Sequence, residues 1–149
     1  MDYAETLPPM TREELAEVET TLKGVNEPPP MIPTGHHFAN GVYGREMYMP
    51  AGAVVVGKIH KCDTLNVITM GQVVVANPEQ PEMNKILVAP FTYVSPPGTK
   101  RLIMALQDSI WMTFHPAKSQ DLAELEDELI VKNYDELTLD EREALGEVR

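Results

Sequence analysis

The segment Gly57–Gly71, GKIHKCDTLNVITMG, contains three side chains that can do chemistry, namely Lys58, His60 and Cys62. Histidine binds metals and acts as a general acid or base near neutral pH, and lysine offers a positive charge to an anion. Cysteine reacts only as a thiolate, and a lone cysteine is more often inert packing. The segment therefore has three interpretations: a metal site, an anion site, or strands that happen to carry a histidine.

The spacing of Lys58 and His60 predicts that they point the same way. Side chains alternate between the two faces of a strand, so VVVGKIH places Val54 and Val56 on one face together with Lys58 and His60. The sequence has no nucleophile elbow, glycine-rich phosphate loop or zinc-binding cysteine cluster. These two side chains are thus the first candidates for a functional site.

Lys58 and His60 are expected to lie on β-strands. Between residues 34 and 118, β-rich runs such as LNVITMGQVVVAN and SIWMTFHP are separated by Gly, Pro and Asn at roughly regular intervals. Strands at this spacing without intervening helices predict an all-β sandwich or barrel. Trp111, Thr113 and His115 fall on one strand face, and two interpretations are open: the tryptophan lines a pocket together with the other two residues or, as is more usual for an aromatic residue on such a strand, it belongs to the core.

Two acidic segments flank this central region. Residues 1–33 contain TREELAEVETTLKG, in which Thr11 and Glu14 match a capping box, followed by a proline-rich linker. Residues 119–149 predict a helix that starts at a Ser119 cap and carries Leu122, Leu125 and Leu129, with Val131 as a further candidate. We therefore predict an N-terminal arm, a barrel over 34–118 and an acidic helical extension.

The charge distribution bears on the partners. The net charge is −11, but residues 31–119 have seven basic and five acidic side chains, so the acidity belongs to the ends. Such acidity disfavours nucleic acid and anionic membranes, while the mildly basic centre can accept an anionic small molecule. No apolar run reaches the ~20 residues of a membrane span, and MDYAETLPPM does not look like a secretory signal. The expected setting is a bacterial cytoplasm or a particle assembled there.

The central segment resembles the cupin superfamily, whose members are double-sheet jelly-roll barrels. The first cupin motif contains, in order, a glycine, two histidines, a glutamate and a second glycine. When this motif is aligned with the chain, Gly52 and Gly71 take the two glycine positions and His60 takes the position of the second histidine. Lys58 stands at the first histidine position and Thr64 at the glutamate position. The resemblance implies an all-β cupin-type barrel with short helical extensions at both ends.

The second cupin motif is matched in its turn but not in its ligand. Pro96-Pro97-Gly98 corresponds to the turn, while Arg101 replaces the histidine and Ala105 the asparagine. Because ammonium and guanidinium groups repel metal ions, the inherited site is predicted to hold no metal, and no cofactor is expected. A rebuilt metal site would have to use other side chains, for which the candidates are His36, His37, His60, Cys62 and His115.

The resemblance also implies that Lys58, His60 and Arg101 face the barrel interior, with Arg45 as a further candidate for the same site. Clustered cations need anions close by. The anion is either an internal carboxylate, with Glu46 and Asp108 as candidates, or a bound ligand. In the first case the cations only hold the sheets together.

Two functions remain open from the sequence. The wider run from residue 36 to about 130 also resembles short cupin-like proteins encoded by phages and prophages. The replaced metal ligands, the terminal arms and the absence of a nucleophile motif favour a non-enzymatic, homo-oligomeric structural or accessory component, for instance of a phage particle, assembled through its sheets and terminal arms. The alternative is metal-independent binding or isomerase-type conversion of a sugar phosphate, nucleotide sugar or carboxylate, with His60 as general acid or base and Lys58, Arg101 and Arg45 as ligand-binding cations.

Overall fold

The computed structural model describes residues 11–23, 33–57, 59–78 and 80–131. Its helices are α1 (Arg12–Lys23) and α2 (Leu122–Leu129), and a short 3-10 helix covers Pro81–Met83. The strands are β1 (Thr34–Ala39), β2 (Val42–Met49), β3 (Val54–Val56), β4 (Ile59–His60), β5 (Thr64–Met70), β6 (Gln72–Ala76), β7 (Ile86–Val88), β8 (Phe91–Ser95), β9 (Leu102–Ala105), β10 (Ser109–Pro116) and β11 (Ile130–Val131).

The strands form two main antiparallel sheets and a small two-stranded one. The larger sheet has the order β1-β2-β10-β5-β8, the second has the order β3-β9-β6-β7, and β11 pairs with β4. The core cluster takes side chains from both main sheets, among them Met49, Ile68, Trp111, Val73, Val75 and Ile103. Each such buried side chain contributes about 1.5–3 kcal/mol relative to exposure, which holds the two sheets face to face. The predicted all-β, double-sheet architecture is confirmed.

Both glycines that match the first cupin motif have positive φ. Gly52 has a φ of +88°, and Gly71, the single residue between β5 and β6, has a φ of +90°. A Cβ at Gly71 would overlap the Ser109 side chain and the Asp108 carbonyl, whereas a Cβ at Gly52 would meet open space. Gly71 is therefore required both by its backbone conformation and by close packing.

The run VVVGKIH is not one continuous strand. β3 pairs with β9 in the four-stranded sheet, whereas β4 pairs with β11, so Val54 and Val56 do not share a sheet with His60. The change occurs just after Gly57, whose N–H donates to the carbonyl of Arg101 over 2.9 Å. The prediction of one common face was wrong because alternation holds only within an unbroken strand.

Helix α1 begins as the sequence predicts. The Thr11 hydroxyl accepts from the Glu14 N–H at 3.1 Å, and the Glu14 carboxylate accepts from the Thr11 N–H at 3.0 Å. These two bonds form the expected capping box. Leu15 in this helix is fully buried.

Helix α2 begins two residues later than predicted. Asp121, not Ser119, is the N-cap, because its carboxylate accepts from the N–H groups of Ala123 and Glu124 at 3.0 and 3.1 Å. Ser119 instead donates to the Glu124 carboxylate and accepts from the Asp121 N–H. The helix ends at Leu129, so Val131 lies in β11 and pairs with Ile59.

The acidic C-terminal segment thereby contributes a strand beside β4. The proposed boundaries at residues 33 and 118 stay predictions, since the linker and residues 132–149 lie outside the described ranges. None of the helices in the described part of the chain is long and apolar enough to cross a membrane.

Candidate functional site

A cavity of about 240 Å³ lies between the larger sheet and the segment formed by α2 and β11. The sheet wall consists of side chains from β1, β2 and β10, to which His60 is added from β4. These polar and aromatic side chains are His36, Tyr43, Arg45, His60 and His115. The cavity therefore gathers three of the four histidines of the chain around one arginine.

The opposite wall is mainly aliphatic. It consists of Leu122, Leu125, Glu126 and Leu129 from α2 and Ile130 from β11. Leu125 and Leu129 pack against Tyr43 in a second apolar cluster, which anchors the helix to the sheet. The spacing of the leucines at 122, 125 and 129 places them on one helix face, as predicted.

Strand register explains why the polar side chains of the sheet meet. His36 pairs with Arg45, Arg45 with Thr113, Thr113 with Asn66 and Asn66 with Tyr93, so one polar row crosses all five strands. Directly paired residues of a sheet point to the same face. Alternate residues on each strand share a face as well, which adds Tyr43 and its partner His115.

The rings in the cavity stack on one another. Tyr43 lies 5.9 Å from both His36 and His115, measured between ring centroids, and its hydroxyl is hydrogen-bonded to Nδ1 of His36 at 2.6 Å. His60 stacks on His115 with centroids 4.9 Å apart and an angle of 19° between the planes. Burial raises the pKa of Tyr43, although Arg45 opposes this rise, so the phenol keeps its proton at neutral pH.

His115 is a neutral imidazole at neutral pH. Burial, followed by the positive charges of Arg45 and then Arg101, lowers its pKa from the usual 6.5 to about 4. Its Nε2 is hydrogen-bonded to the Thr113 hydroxyl at 2.9 Å. A neutral imidazole here can donate or accept one hydrogen bond without adding charge to the cavity.

Arg45 supplies the positive charge of the cavity. Among the described residues, no carboxylate lies within ion-pair distance of its guanidinium. The adjacent Glu46 points to the other side of β2, where it contacts His37 Nε2 at 3.1 Å. The guanidinium of Arg45 has five N–H donors and lines the cavity, and it has no ion-pair partner in the described part of the chain. Such a group is suited to binding an anion.

Arg101 lies in the barrel interior and does not line the cavity. It is 6% exposed, its Nη2 donates to Asn66 Oδ1 at 2.8 Å, and its guanidinium lies over the Trp111 ring, 4.9 Å from the centroid. Trp111 Nε1 donates to the same Asn66 oxygen at 3.1 Å. Burial lowers the pKa of Arg101, which nearby Tyr93 partly offsets.

The structure thus separates the four predicted ligand-binding residues. It places His60 and Arg45 in one cavity and Arg101 behind it, while Lys58 lies outside the described residues. Neither carboxylate candidate for an internal ion pair reaches Arg101, because Glu46 contacts His37 and Asp108 accepts from the Ala51 N–H at 2.9 Å. Cys62 is exposed.

Sequence reasoning missed Tyr43 and the aliphatic wall as parts of the site. Tyr43 alternates with Arg45 on β2, so the strand pattern alone would have linked them. The leucines were predicted only as a helix face, and nothing local to α2 indicates what that face covers. Among the described residues, no three His, Cys, Asp or Glu side chains are grouped so as to hold a metal ion.

Comparison with known proteins supports the fold. No protein-family model matches the sequence, and no curated protein matches it either. KdgF from Halomonas sp. is similar in structure, with 18% identity and a TM-score of 0.51 over 65% of this chain and 90% of that chain. The chain has a cupin-type jelly-roll barrel, as predicted.

Two further solved structures have weaker similarity. A cupin superfamily protein from Desulfitobacterium hafniense DCB-2 has 13% identity and a TM-score of 0.48, covering 79% of this chain and 98% of its own. A cupin-2 domain protein from Shewanella frigidimarina NCIMB 400 has 18% identity and a TM-score of 0.45, covering 67% of this chain and 92% of its own. At these identities the similarity concerns the fold alone.

Proposed function

We propose that this protein binds an anionic small molecule in the cavity between the larger sheet and α2, without a metal ion. The observation that carries the proposal is the Arg45 guanidinium, which lines the cavity and has no carboxylate at ion-pair distance among the described residues. A guanidinium in such a position gains most from an anion that completes its hydrogen bonds.

The other polar groups would orient the ligand. His115 is neutral and His60 stacks on it, so both imidazoles can form hydrogen bonds beside Arg45. Arg101 would act indirectly, since its charge helps to keep His115 neutral. Ligand contact by Lys58 and Arg101, and acid–base catalysis by His60, stay predictions.

The test compares Arg45→Gln with Lys118→Gln, which removes the same charge from an exposed position outside the cavity. Isothermal titration with benzoate, acetate and phosphate should give a dissociation constant for at least one anion in the wild type and in Lys118→Gln. Loss of a charge-assisted contact should weaken that binding roughly tenfold or more in Arg45→Gln. No binding of any of these anions, or equal binding by both variants, would overturn the proposal.

A homo-oligomer is a second candidate, favoured by the outer face of the larger sheet. Phe114 pairs with Leu65 and Leu65 with Val94, which makes an apolar row across three neighbouring strands. Leu65 and Val94 are 42% and 55% exposed. Adjacent exposed apolar side chains are typical of an interaction surface, and we propose that a second copy of this chain covers them.

Native mass spectrometry would test this candidate. Val94→Glu should shift the oligomer towards monomer, because it places a charge in the apolar row. Val88→Glu, at a 40% exposed position on the other main sheet, is the matched control. A monomeric wild type would contradict the proposal. The contribution of the terminal arms and the role in a phage particle stay predictions from the sequence.

A further inference from the structure

We propose that the ligand is a small monocarboxylate with an apolar body of about the size of a benzene ring, its carboxylate at Arg45 and its body against α2. This inference rests on the proposed anion-binding function and narrows it to one chemical class. Three properties of the cavity carry it: the number of charges, the volume and the chemistry of the two walls.

Arg45 is the one permanent cation among the described residues that line the cavity, so the lining offers a single guanidinium to an anionic ligand. Glu126 from α2 lies in the same wall as the leucines and offers no positive charge. The phenol of Tyr43 and the imidazole of His115 are neutral at neutral pH. A phosphate monoester carries close to two negative charges at pH 8, and the described lining has no second permanent cation for the second charge.

The volume limits the size of the ligand. A cavity of roughly 150 Å³ holds one benzene molecule, and sites for drug-sized ligands start at roughly 300 Å³. The volume of about 240 Å³ therefore fits a ring-sized apolar body with a carboxylate attached. A nucleotide sugar is several times larger than such a ligand and would leave most of its surface outside.

One wall of the cavity is polar and the other is apolar, which suits a ligand with a carboxylate at one end and an apolar body at the other. The sheet presents Arg45 with stacked imidazole and phenol rings, while α2 presents leucines. Leu122 is 47% exposed although it lines the cavity. An apolar body between the walls would cover Leu122, and this burial of apolar surface would add to the affinity.

Four probes at pH 8 separate the head group from the body. Benzoate has both features, acetate has only the carboxylate, benzyl alcohol has the ring without charge, and phenyl phosphate has the ring with a dianionic head. We expect benzoate to bind best, with the other three roughly tenfold or more weaker. Leu122→Asn should weaken benzoate several-fold and leave acetate unchanged. Leu106→Asn, at a 40% exposed leucine outside the cavity, should change neither.

The outcomes distinguish this inference from the function on which it rests. Phenyl phosphate binding as well as benzoate, or acetate binding as well as benzoate, would overturn the ligand class while Arg45-dependent anion binding still stands. Equal affinity for benzoate and benzyl alcohol, or no measurable binding of any probe, would overturn the proposed function and this inference with it. An effect of Leu106→Asn as large as that of Leu122→Asn would overturn the placement of the apolar body.

Discussion

Arg45 and Arg101 lie close to the same polar row and have different surroundings. Arg101 is almost fully buried behind the row, bonded to Asn66 and stacked over Trp111. Arg45 belongs to the row itself and lines a cavity, without a carboxylate at ion-pair distance in the described part of the chain. Thr113 lies between Arg45 and Asn66 in the strand register, so only one strand separates the two environments.

This difference separates a structural cation from one that can bind a ligand. Arg101 uses neutral groups of the protein, an amide oxygen and an indole face, to compensate part of its desolvation. Its removal should therefore affect folding. Arg45 has hydrogen-bond donors that face a cavity, so its removal should mainly affect what the cavity binds.

Arg101→Ala should lower the free energy of unfolding by about 3 kcal/mol. The substitution removes the contact with the Trp111 ring and the bond to Asn66, and it leaves a void in the packed interior. Urea denaturation at pH 7.5 measures the change. Arg45→Ala serves as the comparison and should cost about 0.5 kcal/mol or less. Equal losses from the two substitutions would contradict the contrast between the arginines.

His115 should make stability depend on pH between about 7 and 5. Its pKa is about 4 in the folded protein and about 6.5 when unfolded. As the pH falls through 6.5, His115 is protonated in the unfolded state but stays neutral in the folded state. The free energy of unfolding should therefore fall by about 2 kcal/mol from pH 7 to pH 5 because of this residue.

Denaturation curves of His115→Gln and the wild type at several pH values measure this contribution. The substitution should remove it, so parallel pH profiles would show that His115 does not cause the loss. An NMR titration adds a second comparison. Arg45→Gln should raise the pKa of His115, because the charge of Arg45 lowers this pKa more than the charge of Arg101 does.

Asp121→Ala should destabilise the aliphatic wall of the cavity by about 1 kcal/mol, which is typical for the loss of a helix N-cap. Its carboxylate accepts from two N–H groups of α2, whereas Ser119 contacts no described backbone N–H of the helix itself. Hydrogen exchange should show faster exchange of the α2 amides in Asp121→Ala than in Ser119→Ala. The reverse order would support the N-cap that the sequence predicted.

Local patterns predicted the fold well. The strand runs between residues 34 and 118, the capping box at Thr11 and Glu14, and the two glycines of the first cupin motif all depend on residues close in the chain. The errors arose where a local rule was extended too far. Alternation fails after Gly57 because Val54–Val56 and Ile59–His60 pair in different sheets, and α2 is capped by Asp121 instead of the earlier Ser119.

The site itself was only partly predictable. His60 and Arg45 were named from the sequence and lie in the same cavity, but their separate strands meet there through pairings that no local pattern encodes. Tyr43 and the leucines of α2 were not associated with them. Contacts between residues far apart in the chain depend on strand register and helix packing, which a sequence pattern does not specify.

Strand periodicity and turn residues are local properties of the chain, and they were enough to predict an all-β sandwich or barrel. The resemblance to cupins added the jelly roll and the prediction that Lys58, Thr64 and Arg101 stand at the ligand positions of that family. Which arginine is satisfied within the protein and which lines a cavity follows from the tertiary structure alone. That distinction depends on desolvation and on partners brought in from other strands. Asn66 and Trp111 reach Arg101 across the barrel, while α2 leaves space in front of Arg45.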